Sequence, residues 1–227
     1  MRLPNGDLSR NLHNRARFAH AGQEIFLEGD RCDRVIWVLE GWLGLSKRLR
    51  DGRNQFVDIL LPVDVVAGGD AGGMASIGVT ALTDTVIASL SAAELAEAWR
   101  RDGDVPPLLD RLSAAASARQ AERMLWLGKG TAYERVAHTL LELYVRLEAI
   151  GGARDGGFDL PLTQTQIGDL TGMSTVHVCR TLQRLVRDGV IAAGQRRIEV
   201  GNPRALAESC LIDLDRFRRQ IAPPLLH

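Results

Sequence analysis

The sequence predicts an α+β chain: an antiparallel β-roll in the first hundred residues, then a long helix, then a C-terminal helix-turn-helix with a wing. Three observations carry this. Short runs rich in Ile, Val, Leu and Trp recur between Gly22 and Leu90, punctuated by glycines and by Asp51-Gly52. An alanine- and leucine-rich stretch follows Pro106-Pro107, and two short helical periods around Gly172 precede a basic hairpin.

In the first region the runs VIWVL, WLGLS, FVDILL and TVIASL have strand length and composition, and their regular spacing reads as a roll or barrel. Gly68 to Gly73 (GGDAGG) reads as a surface loop within it. Ser91, with Glu94 three residues on, opens a short helix to Trp99 as a capping box.

Pro106 and Pro107 suit the first turn of a longer helix ending near Gly128, because that turn has no use for the missing N–H. Its Leu108, Leu112, Ala115, Ala116, Met124 and Leu127 form a loose apolar stripe, and its alanines let a second helix approach closely. The expectation is a dimer seam, with packing on the chain's own β-roll as the alternative. Ala132 to Ile150 is an amphipathic helix, and GGARDGG at 151–157 reads as a flexible link or turn. The expected domains are a β-roll effector domain over 1–100, a dimerisation helix over 104–128 and a winged helix-turn-helix over 129–227.

Thr163 to Leu185 carries the most information. Thr163 and Gln166 form a capping-box start, and Ile167, Leu170, Val178, Leu182 and Leu185 give two short helices one apolar face each. Gly172 can take a positive φ in the turn, Gly168 lacks a side chain where two helices would cross, and Ser174 caps the second helix. The residues of that helix left over from the core are Thr175, Val176, His177, Cys179, Arg180, Gln183, Arg184 and Arg187. Such a face fits a DNA major groove.

Arg180 is the candidate for base readout, since a guanidinium can donate twice to guanine O6 and N7. Thr175, Val176 and His177 are its candidate neighbours on the bases. Thr163, Gln164 and Ser174, at helix N-termini, suit phosphate oxygens, as do Arg184 and the wing arginines Arg196 and Arg197. Val190 to Val200 (VIAAGQRRIEV) is a hairpin signal with a basic tip. Between Ser174 and Arg204 six arginines face two acids, a formal balance of +4, while the whole chain holds 28 basic and 28 acidic residues. The positive charge is therefore local, as a DNA footprint requires.

At 227 residues, 45% hydrophobic and 25% charged, the chain has ordinary globular composition with room for two cores. No run approaches a membrane span, and the polar start shows no secretory h-region. Three distant cysteines, Cys32, Cys179 and Cys210, favour a reducing cytoplasm over a disulfide framework. No nucleophile elbow, Walker loop or His-x-His occurs, so an enzyme is not expected.

The order of these parts resembles the CRP/FNR family of bacterial transcription regulators. The resemblance rests on EGD at 28–30, VLEGWLGL at 38–45, DGRNQFVDILLPVDV at 51–65, YERVAHTLLEL at 133–143 and VHVCRTLQRL in the helix-turn-helix, and spans about Gly22 to Arg204. It implies a roll like that of cyclic-nucleotide-binding jelly rolls, a dimerisation helix and a winged helix-turn-helix. It also implies a homodimer on a palindromic DNA operator, its recognition helices in successive major grooves roughly 34 Å apart. RNA polymerase would be the further partner, and an unidentified effector or redox signal the switch. The alternatives are a constitutive DNA-binding regulator whose roll is only a platform and, more distantly, a small-molecule-binding signalling module without DNA.

The departures from the family pattern bear on that switch. Members that bind cyclic AMP use a glutamate and an arginine around the cyclic phosphate, but GGDAGGMASIGVTALTD at 68–84 has no glutamate and no basic residue. Cyclic AMP is therefore not expected, and Cys32 alone in the sensor region is too few for an iron-sulfur cluster. No cofactor is expected. Haem stays open through His13 or His20, which otherwise read as surface histidines, and His138 reads as a helix-packing residue. Many members carry glutamate where Val176 stands, so the operator should differ from the usual half-site, with Val176 against a thymine methyl. Cys179 beside Arg180 suggests a redox switch, since oxidation would set a bulkier acidic group against DNA.

Overall fold

The computed structural model describes residues 7–69 and 72–222. These fall into two compact units that divide between Ser113 and Ala114, inside one long helix.

The first unit opens with α1 (Asp7–Asn14) and continues through β1 (Ala16–Ala19), β2 (Glu24–Phe26), β3 (Arg34–Glu40), β4 (Leu43–Arg48), β5 (Asn54–Leu60), β6 (Val65–Ala67), β7 (Gly78–Ala81) and β8 (Thr85–Ser91). Two four-stranded antiparallel sheets result, ordered β1-β8-β3-β6 and β2-β7-β4-β5. Alternation along β3 explains the layering. Ile36 and Val38 point into the roll and pack with Phe26, Leu43, Leu45 and Leu60, while Trp37 points out and is fully buried on the other face. Covering Trp37 are Leu8 and Leu12 of α1, Ala98 of α2 (Ala92–Arg101), and Leu108 and Leu112 of α3 (Val105–Lys129). The predicted Ser91–Glu94 capping box forms in full. The α1 helix has little sequence signal: its apolar content is one i,i+4 pair, Leu8 and Leu12, in a polar segment.

The glycine loop has a packing reason. A Cβ at Gly68 would stand 2.1 Å from the sulfur of Cys32, and Cys32 N donates to Gly73 O at 2.8 Å, so the chain closes tightly over that thiol. Asp70 and Ala71 of this loop, and residues 1–6 of the polar start, lie outside the described residues.

The second unit is built on α4 (Ala132–Ala149), whose residues 136–147 are all buried. Around it lie α5 (Gln164–Thr171), α6 (Thr175–Arg187), α7 (Pro203–Glu208) and α8 (Leu214–Ile221). A three-stranded sheet ordered β10-β11-β9 joins β9 (Gly157–Asp159), β10 (Ala192–Ala193) and β11 (Arg197–Glu199). The expected link at 151–157 is thus a turn leading into a strand, for Gly157 pairs with Glu199 and Phe158 with Ile198. Inside the unit the Glu142 carboxylate accepts from Arg123 of α3 at 2.8 and 3.0 Å and from Arg146 at 2.9 Å, all three residues buried. His138 lies between the rings of Trp126 and Phe217, with centroids at 5.7 and 5.5 Å, and burial with the nearby Arg123 charge pushes its pKa down to about 3.

The apolar stripe of α3 requires a correction. Leu108 and Leu112 are buried in the first unit's own core, Ala115 is buried, and Ala116 and Leu127 are half-buried, so five of the six expected seam residues are covered or partly covered within one chain. Met124 alone of the six is exposed, at 72%. The exposed face of α3 carries Ala114, Ser117, Ala121, Met124 and Gly128 instead, with Leu125 beside them.

Candidate nucleic-acid interface

Each helix of the reading unit starts on a side-chain cap. Thr163 accepts from Gln166 N while Gln166 accepts from Thr163 N at 2.8 Å, and Ser174 accepts from His177 N at 3.4 Å. Gly172 ends α5 at φ +67°, which a non-glycine residue would adopt only with strain. Gly168 makes its close approach to the turn and not to a crossing helix: a Cβ there would stand 2.5 Å from Met173 O. The hydroxyls of Thr165 and Thr175 lie 3.5 Å apart, so the N-terminal turns of α5 and α6 share one edge, as two phosphate-facing helix starts would.

Val178 and Leu185 are fully buried on the inner face of α6, and Thr181 joins them with its hydroxyl on His177 O at 2.8 Å. Outward stand Thr175, Val176, His177, Arg180, Gln183, Arg184 and Arg187, with Val176 59% exposed. Among the described residues Arg180, Arg187 and Arg196 have no counter-ion or hydrogen-bond partner for their side chains, which leaves three free cations on the helix and the wing tip. The wing turn closes through Gly194 N on Arg197 O at 2.8 Å and displays Gln195 and Arg196.

Three of the expected site residues sit differently. Arg197 folds back, donating to Arg154 O at 2.6 Å with Asp159 at 3.8 Å, so the wing tip offers one arginine and not two. Arg184 lies over the ring of Tyr133 at 4.8 Å and 3.6 Å from Asp188, engaged by its own domain. Cys179 is half-buried and faces the groove between α6 and the wing, among Ile167, Leu182 and Ile198, rather than the outer face with Arg180. Sequence patterning does not reveal these, because an arginine reads alike whether solvated or tied down. Tyr133 and Arg135, which contact both helices of the reading unit, also escape it: they lie outside the motif, at the start of α4.

His13 has its Nδ1 2.7 Å from Ser9 O, His20 is exposed beside Phe18 and Asp84, and His138 is enclosed by rings.

A cap-bounded helix pair with free arginines on its outer face, followed by a basic wing and preceded by a β-roll and a long helix, defines a DNA-binding transcription regulator. The comparisons give the family. Residues 16–102 match the cyclic nucleotide-binding domain, and residues 134–209 match the Crp-like helix-turn-helix domain. The transcriptional activator protein FnrL of Cereibacter sphaeroides is 33% identical over 204 residues, covering 88% of this chain and 82% of that protein. The nitrogen fixation regulation protein FixK of Rhizobium meliloti is 30% identical over 190 residues, covering 83% and 84%. The structure of FixK2 from Bradyrhizobium japonicum superposes with a TM-score of 0.74 at 29% identity, over 85% of this chain and 95% of that one. The chain belongs to the CRP/FNR family of transcription regulators. Among its described residues no helix is long and apolar enough to cross a membrane.

Proposed function

We propose that the protein is a cytoplasmic homodimer that binds a palindromic operator and is switched by an effector other than a cyclic nucleotide. The observation that carries the DNA reading is Arg180: exposed, uncompensated, and in the second turn of a capped helix whose inner face is buried. It reads guanine, Val176 packs on a thymine methyl, and Thr175 and His177 flank them. Thr163, Gln164, Ser174 and Arg196 hold phosphates, with Arg187 as an additional contact. Arg184 and Arg197 contribute field and positioning rather than direct phosphate bonds, since each is already engaged.

The dimer seam is the exposed face of α3. Ala114, Ser117, Ala121, Met124 and Gly128 recur at alternating steps of three and four, the period of a left-handed helix pair, and the four small ones among them permit a close approach. The domain reading follows: an effector roll, the seam over 105–129, and the DNA-binding unit after it. Against a cyclic nucleotide stands the absence of any basic residue or glutamate in 68–84, which would leave the phosphate uncompensated. A redox input at Cys179 would act in the groove beside the wing: hydrogen peroxide gives one oxygen to the sulfur, forming a sulfenic acid and releasing water, and puts a polar group among Ile167, Leu182 and Ile198. Contact with RNA polymerase is supported by relatives named as transcriptional activators.

The test is operator selection from random duplex DNA with the reduced protein and no added ligand. An inverted repeat with a guanine in each half-site supports the reading. No enrichment, with and without cell extract, rejects it.

A further inference from the structure

The junction between α3 and α4 grips both helices of the reading unit. Arg135, one turn into α4, donates from Nε to the carbonyls of Trp126 at 3.1 Å and Gly130 at 3.0 Å, and from Nη1 to that of Thr171 at 3.4 Å. Trp126 lies in the last turn of α3, Gly130 just past its end, and Thr171 is the last residue of α5. Helix C-termini present under-bonded carbonyls and partial negative charge, and one guanidinium serves two such ends at once, the Trp126 carbonyl also accepting from Gly130 N at 2.8 Å. Leu127 lies under the turn beside it, its Cδ2 3.3 Å from where a Cβ on Gly172 would sit.

Two residues before Arg135, Tyr133 takes the guanidinium of Arg184 on its ring at 4.8 Å, and Asp188 completes the contact 3.6 Å from Arg184. Arg184 and Asp188 are the last turn and C-cap of α6. The same junction therefore holds α5 through Arg135 and α6 through Tyr133. Behind it, the buried Arg123–Glu142–Arg146 cluster fastens α3 to α4. Beside the buried packing of α6 on α4, these two side chains are the polar contacts by which the junction reaches α5 and α6.

We propose that Arg135 and Tyr133 are positioning residues for operator recognition: they fix the angle between the C-terminal half of α3 and α6, and so set the half-site separation the protein accepts. This rests on the dimeric reading above. With α3 paired to its partner, the placement of two recognition helices follows from the α3-to-α6 angle in each copy, and half-site spacing is the direct readout of that placement. Neither residue touches bases, so the sequence selected within a half-site is not theirs to change.

The experiment uses the full-length protein on its selected inverted repeat and on versions with the half-sites moved together or apart by one and two base pairs. The wild type is expected to lose on the order of tenfold in affinity per displaced base pair, as two rigidly placed readers must. Arg135→Met and Tyr133→Leu are expected to cut that penalty to about threefold or less while the bases selected within each half-site stay the same. Tyr133→Phe keeps the ring under Arg184 but loses the hydroxyl bonded to Asp188, and is expected to give a penalty between those of the wild type and Tyr133→Leu. If Arg135→Met does not fold, Arg135→Lys, with a single point donor in place of the fork, is expected to give an intermediate penalty. An unchanged spacing penalty in the Arg135 and Tyr133→Leu variants, even with uniformly weaker binding, overturns the proposal. A wild type that selects single half-sites instead of inverted repeats overturns the dimeric reading and the proposal with it, a result seen before any variant is made.

Discussion

His138 offers a pH test of the second unit's packing. The residue is 1% exposed, its ring lies between Trp126 and Phe217, its Nε2 has no hydrogen-bond partner, and its pKa in the folded protein is about 3 against 6.5 for an ordinary histidine. The unfolded chain therefore takes up a proton between pH 6.5 and 3 that the folded chain refuses, and stability falls as pH falls through that window. The full window corresponds to a ceiling of about 5 kcal/mol, and the interval from about pH 7 to about pH 4.5 to roughly 3 kcal/mol. Carboxylates also titrate there, so the measurement is a difference of differences. Urea midpoints followed by helical circular dichroism, with hydrogen exchange of α4 amides identifying the transition of this unit, are compared for the wild type and His138→Phe at both pH values. His138→Phe removes the titrating group and the unpartnered nitrogen, and should match the wild type near neutral pH within about 1 kcal/mol. At the acidic end it should be the more stable by roughly 3 kcal/mol. Equal pH dependence for the two proteins would refute the burial argument.

Arg180→Ala should cost about 1 to 3 kcal/mol of operator binding and relax selection at one base pair, checked by binding to every single-base variant of the operator. Arg196→Ala should weaken all duplexes alike and lower the slope of log affinity against log salt by about 1, seen in titrations from low to moderate salt. Ala121→Glu sets two carboxylates against each other in the proposed seam and should raise the dimer dissociation constant at least about tenfold in sedimentation equilibrium; an unchanged value would move the seam elsewhere. Gly172→Ala forces a side chain into a φ of +67° next to Leu127 and should destabilise the second unit by about 1 to 2 kcal/mol in thermal unfolding.

Local signals are legible in this sequence and pairings are not. The caps at Ser91, Thr163 and Ser174 and the turn at Gly172 can be read because each depends on residues within one turn of the chain. The roll shows in strand-length apolar runs, although their division into two sheets of four does not. Phe158, fully buried in β9, follows a glycine-rich segment too short to show an alternation. The C-terminal pair α7 and α8 has a start signal in Asn202 followed by Pro203, but its arginines read equally well as part of a DNA-facing surface. Within the candidate site, Arg180, Arg184, Arg196 and Arg197 are indistinguishable as letters. The ring of Tyr133, the carbonyl of Arg154 and the carboxylate of Asp159, all distant in sequence, help separate the fastened cations from the free ones, while Asp188 beside Arg184 is a local partner.

The α3 helix shows the same limit in its sharpest form. A hydrophobic stripe states which residues must leave water, but not what they meet when they do. Leu108 and Leu112 meet Trp37 and the two leucines of α1, so these large apolar residues of the helix are used within the chain. Along one exposed stripe the residues are mostly small, Ala114, Ser117, Ala121 and Gly128 with Met124, while Asp110, Arg111, Gln120 and Lys129 are exposed polar or charged positions of the same helix. Small residues contribute little burial each, but they let two backbones come close over several turns, and such a contact depends more on helix alignment than on any one side chain. A seam of this kind would tolerate rotation or sliding more readily than one locked by interdigitated leucines. The junction at Arg135 and Tyr133 would then pass a change in seam alignment to the recognition helix without loss, because it holds the end of α3, α5 and α6 together. On the proposed dimer, regulation would need no large motion inside the DNA-binding unit, only a shift in how two small-residue faces meet.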